Sequence, residues 1–527
     1  MRMMTFVRSL GLTALVAVTG CKSLDITNPN APDAGRALAD PAAIEAVAGG
    51  AIRQWVNTYE GNTAVAPLTT QAQTYSASWN NFNMNFYSSL DADGTRTSRS
   101  WQNDPAAAGR TSIEWYWEGY YSALSLATNV LKATRNNGLV LGSATNTKRA
   151  EAVAFLMQGA AMSGIAMNYN KGYIIDENAD LASLAYVNRL AMRDAALSKL
   201  DSAIAVASAA TFTTPASWLN GHAYSNVQIA KIARTMAAYL LVNWPRDASE
   251  MSTVDWTKVR NYASNGMSAG TPFDFNFEGD GCTAWCPEVL VWFNSLDTGR
   301  LHTRVANMID ATQITPWPAG GNPQPNSADR RLGDGSFGNA SMIAGFGNVP
   351  KTANGGTDFA YSTQAPFNMA RGSYHQSNIG HIRYDATGVQ AATGIYSGYG
   401  TAPLFSAAQN DLLWAEAAIE LGDLATAAAK INNTRVTRGG LDPALASESA
   451  AQLRVKLSYE NEIEVLGLGA ASYYHRRRAT NGLITGTPRE MPVPAKELGV
   501  FGQSLYTYGG AKVKSALPAN ATAAPEN

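Results

Sequence analysis

The chain has 527 residues, is 46% hydrophobic and 15% charged, and carries a formal net charge of −1. Near-neutrality excludes the electrostatic footprint of a nucleic-acid binder, or of a protein drawn to an anionic membrane surface. The apolar content is enough for a large core. The 46 Gly, with abundant Asn, Thr and Ser, point to long uncharged loops that hold several of the 22 Tyr and 12 Trp.

The first element is a leader. Residues 1–8 carry Arg2 and Arg8, and 10–18 form an apolar run, too short for a bilayer crossing of roughly 20 residues. Val18-Thr19-Gly20-Cys21 places small residues before a lone cysteine. It resembles the lipobox of bacterial lipoproteins, with an ordinary secretory signal and a chance cysteine as the alternative. That resemblance implies a signal peptide of 1–20, a diacylglycerol on the Cys21 thiol, and a third acyl chain such as palmitate on the new amino group. Several chains anchor more firmly than one, because each buried methylene adds about 0.8 kcal/mol. Residues 21–35, polar and held extended by Pro29 and Pro32, read as a tether. One domain is expected over 36–527. No later segment reads as a long uncharged apolar run, so the chain is expected to be anchored to a membrane without crossing it.

Asp40-Pro41 opens the first helix, with Asp as N-cap and Pro at the first helical position, although Gly49-Gly50 weakens the segment. Residues 61–112 read as loop with short helices. Helices are predicted over 115–135, 152–169, 188–206, 220–244 (stopped by Pro245) and 254–267 from apolar spacing of three to four. Residues 270–400 turn Gly-, Pro- and Asn-rich, and a loop region of that length is usually functional. Helices resume over 407–421 and 424–437, a helical hairpin broken at Gly422-Asp423 and ended by Gly439-Gly440. The last long helix is 453–466.

With Cys21 set aside, Cys282 and Cys286 remain as a close pair. A disulfide is the favoured reading outside the cytoplasm; free thiols and half a metal site are the alternatives, and no nearby His or second Cys pair completes four ligands. His375 and His381 lack helical metal-ligand spacing, and no nucleophile elbow, P-loop or dinucleotide fingerprint stands in suitable context. Glu460, Glu462 and Glu464, beside Arg476, Arg477 and Arg478, read as a solvated or salt-bridged surface array, not as a glycosidase pair. Asp91-Ala-Asp93-Gly94 resembles the start of a calcium loop without its twelfth-position Glu. No cofactor is expected, with structural calcium the alternative.

The positive signal is aromatic. Trp79, Phe82, Phe86 and Tyr87 stand among Asn and Ser; Arg96, Arg99 and Trp101 stand beside Asn103 and Asp104. The central loops add Trp285, Trp292, Trp317, Tyr374, Tyr384, Tyr396 and Tyr399. Flat rings cover the apolar C–H face of a sugar, while amide, carboxylate and guanidinium groups satisfy its hydroxyl rim. Trp79, Arg96, Trp101, Trp285, Trp292 and Trp317 are the candidate ligand-binding residues. Trp115, Trp117 and Tyr120, at helical spacing, are expected in the core.

Four stretches together resemble the SusD/RagB outer-membrane lipoproteins: the lipobox followed by LDITNPN, WEGYYSALSLATNVL (117–131), DLLWAEAAIELGDLATAAAKINNTRVTRGGL (411–441), and YENEIEVLGLGAASYYHRRR (459–478) with REMPVPAKEL (489–498). Departures are a looser turn over 467–471 and Val493 inside the Pro-x-Pro. The resemblance implies a predominantly α fold, with four tetratricopeptide-like hairpins packed against a loop-rich, ligand-facing half. It also implies a non-enzymatic protein on the cell exterior that delivers oligosaccharide to a TonB-dependent, SusC-like β-barrel. Peptide is the alternative cargo, and a surface glycoside hydrolase the further alternative.

Overall fold

The computed structural model describes residues 38–77, 80–87, 96–293, 299–314, 322–335, 356–361, 375–384 and 398–513. Cys21 with its lipobox and tether, the Asp91 to Gly94 motif, Trp79, Trp317, Tyr374 and Tyr396 lie outside the described residues, and of Arg96 only the backbone is described.

The scaffold is helical. Helix α1 (Pro41–Glu60) starts at Asp40, whose carboxylate accepts from Ala42 N. Gly49 does not break it: a Cβ there would lie 2.7 Å from the Trp218 ring, so glycine is what lets that ring approach. Helix α2 (Asn62–Gln71) follows after Gly61, giving regular structure to the start of a stretch read mainly as loop. Then come α3 (Thr111–Leu131), α4 (Ala144–Asn168), α5 (Arg189–Ser208), α6 (Asn226–Asn243), α7 (Trp256–Ser264) and the short α8 (Glu288–Phe293) and α9 (Thr303–Ile309). The chain closes with α10 (Ala407–Glu420), α11 (Leu424–Arg435), α12 (Ala450–Ile463), α13 (Ala471–Arg478) and α14 (Ala495–Val500). Helix α1 lies on α3, each of α3 to α6 packs on the next, α7 bridges α6 to α10, and α10 packs on α11 and α12. This is the predominantly α scaffold of tetratricopeptide-like hairpins that the sequence predicts.

Two readings need correction. Helix α4, with a mean hydropathy of 1.3, is long and apolar enough to cross a membrane by length and composition. It is a long apolar run after all, and its apolar window lies wholly inside the fold. The helix expected over 220–244 starts later: Asn220 adopts a left-handed φ of +50° after a short 3-10 turn (Ala216–Leu219), and α6 begins only at Asn226, behind a Ser225–Gln228 capping box.

Strands join distant segments. Five two-stranded antiparallel ladders occur among the described residues: β1 (Tyr75–Ser76) with β6 (Arg300–Leu301), β2 (Arg96–Ser98) with β10 (Ala511–Val513), β3 (Lys171–Gly172) with β4 (Val187–Asn188), β5 (Phe275–Asp280) with β9 (Tyr399–Phe405), and β7 (Phe359–Tyr361) with β8 (Ile379–His381). β5 alternates buried and half-buried residues. Its Phe275 ring and Phe405 of β9 lie 6.4 and 6.5 Å from Trp55 of α1, bolting the loop-rich half to the scaffold.

Arg477, fully buried on α13, closes the other side. Its guanidinium donates to Met167 O (2.6 Å) and Asn243 O (2.7 Å), at the C-terminal ends of α4 and α6, and to Arg489 O (3.2 Å). Carbonyls left over at two helix ends thus share one cation.

Candidate functional site

The described part of the aromatic loop is residues 80–87. Asn80 Oδ1 accepts from Phe86 N at 2.9 Å, and Asn83 Nδ2 donates to Ser112 Oγ at 3.0 Å. Phe82 and Asn83 both take left-handed φ, +52° and +60°. Asn tolerates this; for Phe it costs about 1–2 kcal/mol. The turn sets the half-buried Phe82 ring edge-on to half-buried Trp292 of α8, with centroids 5.0 Å apart at 85°. Phe86, also half-buried, carries the Arg99 guanidinium 5.2 Å from its centroid. Asn81 is exposed beside them. Beneath, Met84 and Tyr87 are buried, and Tyr87 meets Trp101 at 5.0 Å.

Helix α8 reaches this place through a covalently closed turn. Cys282 and Cys286 are bonded, S–S 1.98 Å, just after β5. The Asp280 carboxylate accepts from Thr283, Ala284 and Trp285 N–H groups at 2.9–3.1 Å. Partial burial pushes that carboxyl up, and these donors hold it below its ordinary value.

The structure separates the sequence candidates. Trp292 is half-buried on α8, edge-on to Phe82. Trp101 and Trp285 are corrected to packed residues, 2% and 6% exposed: the Trp101 N–H donates to Glu490 O at 2.8 Å, and the Trp285 ring lies 5.9 Å from Phe277. They support the loops and present no open face. Trp117 and Tyr120 are core, whereas Trp115 is 37% exposed, its N–H donating to Thr58 O.

The acidic helix is corrected as well. Glu460, Glu462 and Glu464 are interior, not a solvated surface. Arg331, itself fully buried, bonds Asp329 (2.8 Å), Glu460 (2.8 Å) and Glu464 (3.1 Å). Arg438 reaches Asp358 (2.6 Å) and Glu464 (2.9 Å), and Arg383 reaches Glu464 (2.9 Å). Arg304 and Arg476 share Glu462 at 2.8 and 3.1 Å. Arg304, Arg331, Arg383 and, through Asp358, Arg438 therefore tie the described segments from 304 to 384 to α12 and to Glu464 just after it. Carboxylates so matched are structural, not a free acid–base pair.

Burial alone would raise Glu462, but Arg304 and Arg476 hold it down at about 2. A depressed folded value makes its contribution, about 3 kcal/mol, present above pH 4.5 and lost as pH falls from there through 2. Urea midpoints between pH 7 and pH 2.5 are expected to fall for the wild type. In Glu462→Gln that part of the slope should disappear. Glu460, pushed up by burial against the pull of Arg331, acts in the opposite sense, so the difference between the two proteins isolates Glu462.

His302, His375 and His381 are buried packing groups. His302 Nδ1 accepts from Arg304 N (3.0 Å) and its ring stacks on His375 at 4.8 Å; His381 lies 3.3 Å from Tyr75 OH, and burial pushes it down to about 3. Among the described residues no three His, Cys, Asp or Glu side chains stand at metal-binding distance.

A pocket of about 400 Å³ that sequence reasoning missed opens between α10, α12 and α13, with Glu416, Glu420, Arg454, Ser458 and His475 in its wall. Ser458 Oγ lies 3.5 Å from His475 Nε2. Arg478 donates to His475 Nδ1 (2.9 Å) and Glu416 (2.8 Å). Burial first, then Arg478, lowers His475 to about 4. The imidazole is thus neutral with its proton on Nε2, the wrong tautomer to take one from Ser458.

No protein-family model and no curated protein matches the chain. Solved structures do. A SusD superfamily protein from Bacteroides vulgatus aligns at TM-score 0.55 with 12% identity, over 88% of this chain and 97% of its own. One from Bacteroides thetaiotaomicron aligns at 0.52 with 10% identity, over 83% and 88%. A third structure, with xylogluco-oligosaccharide, aligns at 0.52 with 13% identity, over 82% of each chain.

Proposed function

We propose, from the SusD-superfamily fold of this chain, that it works as a lipid-anchored SusD/RagB-type protein of the outer membrane, facing the cell exterior. It captures an oligosaccharide on its loop-rich half and hands it to a TonB-dependent, SusC-like β-barrel, acting as a hinged lid without chemical turnover. The observation that carries the reading is the Phe82–Trp292 pair: two half-buried rings fixed by a strained turn, on a fold shared with a protein solved with xylogluco-oligosaccharide. The rings take the C–H face of a sugar; Asn81 and Arg99 serve its hydroxyls. Cys21 supplies the anchor.

Titration with a panel of oligosaccharides, xylogluco-oligosaccharide included, tests this. Trp292→Ala and Phe82→Ala are each expected to weaken binding about tenfold or more, about 1.4 kcal/mol, while Trp115→Ala leaves it unchanged. Unaltered affinity in both ring variants, or shortened glycan products, overturns the reading; saturable binding of peptides alone transfers it to a peptide cargo. Palmitate labelling lost in Cys21→Ala tests the anchor, and co-purification of a β-barrel tests the partner.

A further inference from the structure

We propose that the junction of α1 and α2 with α8 is a binding site for a hard divalent cation, calcium by the chemistry of its ligands, formed by Glu60, Asn62 and Glu288. Glu60 ends α1 and is 1% exposed, yet neither carboxylate oxygen has a hydrogen-bond partner. Asn62, fully buried at the start of α2, grips Glu288 twice: its N–H donates to Oε2 at 2.8 Å and its Nδ2 to the main-chain O at 2.7 Å. Its own Oδ1 is left without a partner. Among the described residues no basic side chain pairs with either carboxylate.

An ionised carboxylate buried without a partner costs several kcal/mol. Here the two are joined through Asn62, two residues after Glu60 and bonded to Glu288. One divalent ion balances both charges and ligates the orphaned oxygens. Glu60 Oε1 and Oε2, Asn62 Oδ1 and the second oxygen of Glu288 make four, and water completes the six to eight that calcium accepts. Magnesium demands a stricter octahedron. Glu288 is half-buried, which gives the ion a way in. The bound ion would cross-link the scaffold to α8, the helix that carries Trp292. The inference stands apart from the sugar-binding reading, because it concerns metal uptake alone.

The test uses the full chain stripped with EGTA, dialysed against calcium chloride, and assayed for bound metal and melting temperature. One calcium per chain and a melting temperature that climbs with calcium concentration are expected. Terbium luminescence should be sensitised by Trp115, whose ring lies against Gly61, and quenched by calcium. Glu60→Gln and Glu288→Gln should each weaken calcium binding at least tenfold. If Glu60→Gln does not fold, Glu288→Gln, half-buried, reads the same site. No bound calcium, or calcium binding untouched by either substitution, overturns the proposal. So does a Glu60→Gln protein that melts higher while the wild type ignores calcium, which assigns the pair to a shared proton.

Discussion

Arg331→Met is expected to lower the stability of the protein by about 3–5 kcal/mol, the cost of stranding buried charges whose partner is removed. One guanidinium serves Asp329, Glu460 and Glu464, all without solvent to turn to; Tyr459 OH, donating to Asp329 at 2.7 Å, cannot replace it. Burial already raises Glu460, with Arg331 its chief counterweight, so the variant's Glu460 should hold a proton well above its unfolded range. A raised folded value means stability that is present at low pH and lost as pH rises. Urea unfolding should therefore show a smaller defect at pH 5 than at pH 7. Methionine at the exposed Arg330 serves as the control and should change stability by no more than about 0.5 kcal/mol. A midpoint for Arg331→Met as close to wild type as that would show that the array does not hold the loops.

Arg477→Met should cost about 3 kcal/mol or more, by a different route. Here the partners are carbonyls, and each hydrogen bond from a charged donor is worth about 1.5–3 kcal/mol. Three are lost together, at Met167, Asn243 and Arg489, leaving the ends of α4 and α6 uncapped in a dry interior. Removing a desolvated charge returns part of the cost, so the figure is less than the sum. Arg477→Lys keeps the charge but not the planar fork, and should recover less than half of the loss in urea melts. Full recovery by Lys would mean that charge alone, not the fork, closes the helix ends.

Sequence patterns exposed the scaffold because its determinants are local. Apolar spacing marks α3 and α10, and Gly422-Asp423 marks the hairpin; Gly422 takes a φ of +78° and Asp423 caps α11 through Thr426 N. What stayed hidden depends on chain partners far away. Glu460 reads as surface until Arg331, 129 residues earlier, is brought against it. The ladder of β5 and β9 pairs Asp280 with Tyr399, beyond the reach of any window. Trp101 sits among polar neighbours and is covered, whereas Trp292 sits in the apolar run 289–293 and is half-buried, so only the fold decides which rings are covered. The left-handed φ of Phe82 opposes the preference of its residue type, so no propensity could have announced it.

The guanidinium attachments to α12 also set an order of assembly. Arg304, Arg331 and Arg383 come from segments that precede Glu460, Glu462 and Glu464 in the chain, although Arg331 also has Asp329 beside it. A polypeptide that emerges amino end first cannot complete these attachments until residues 460–464 have been delivered. The loop-rich half thus waits for α12, and a chain interrupted before it presents stacked helices whose loops lack these anchors.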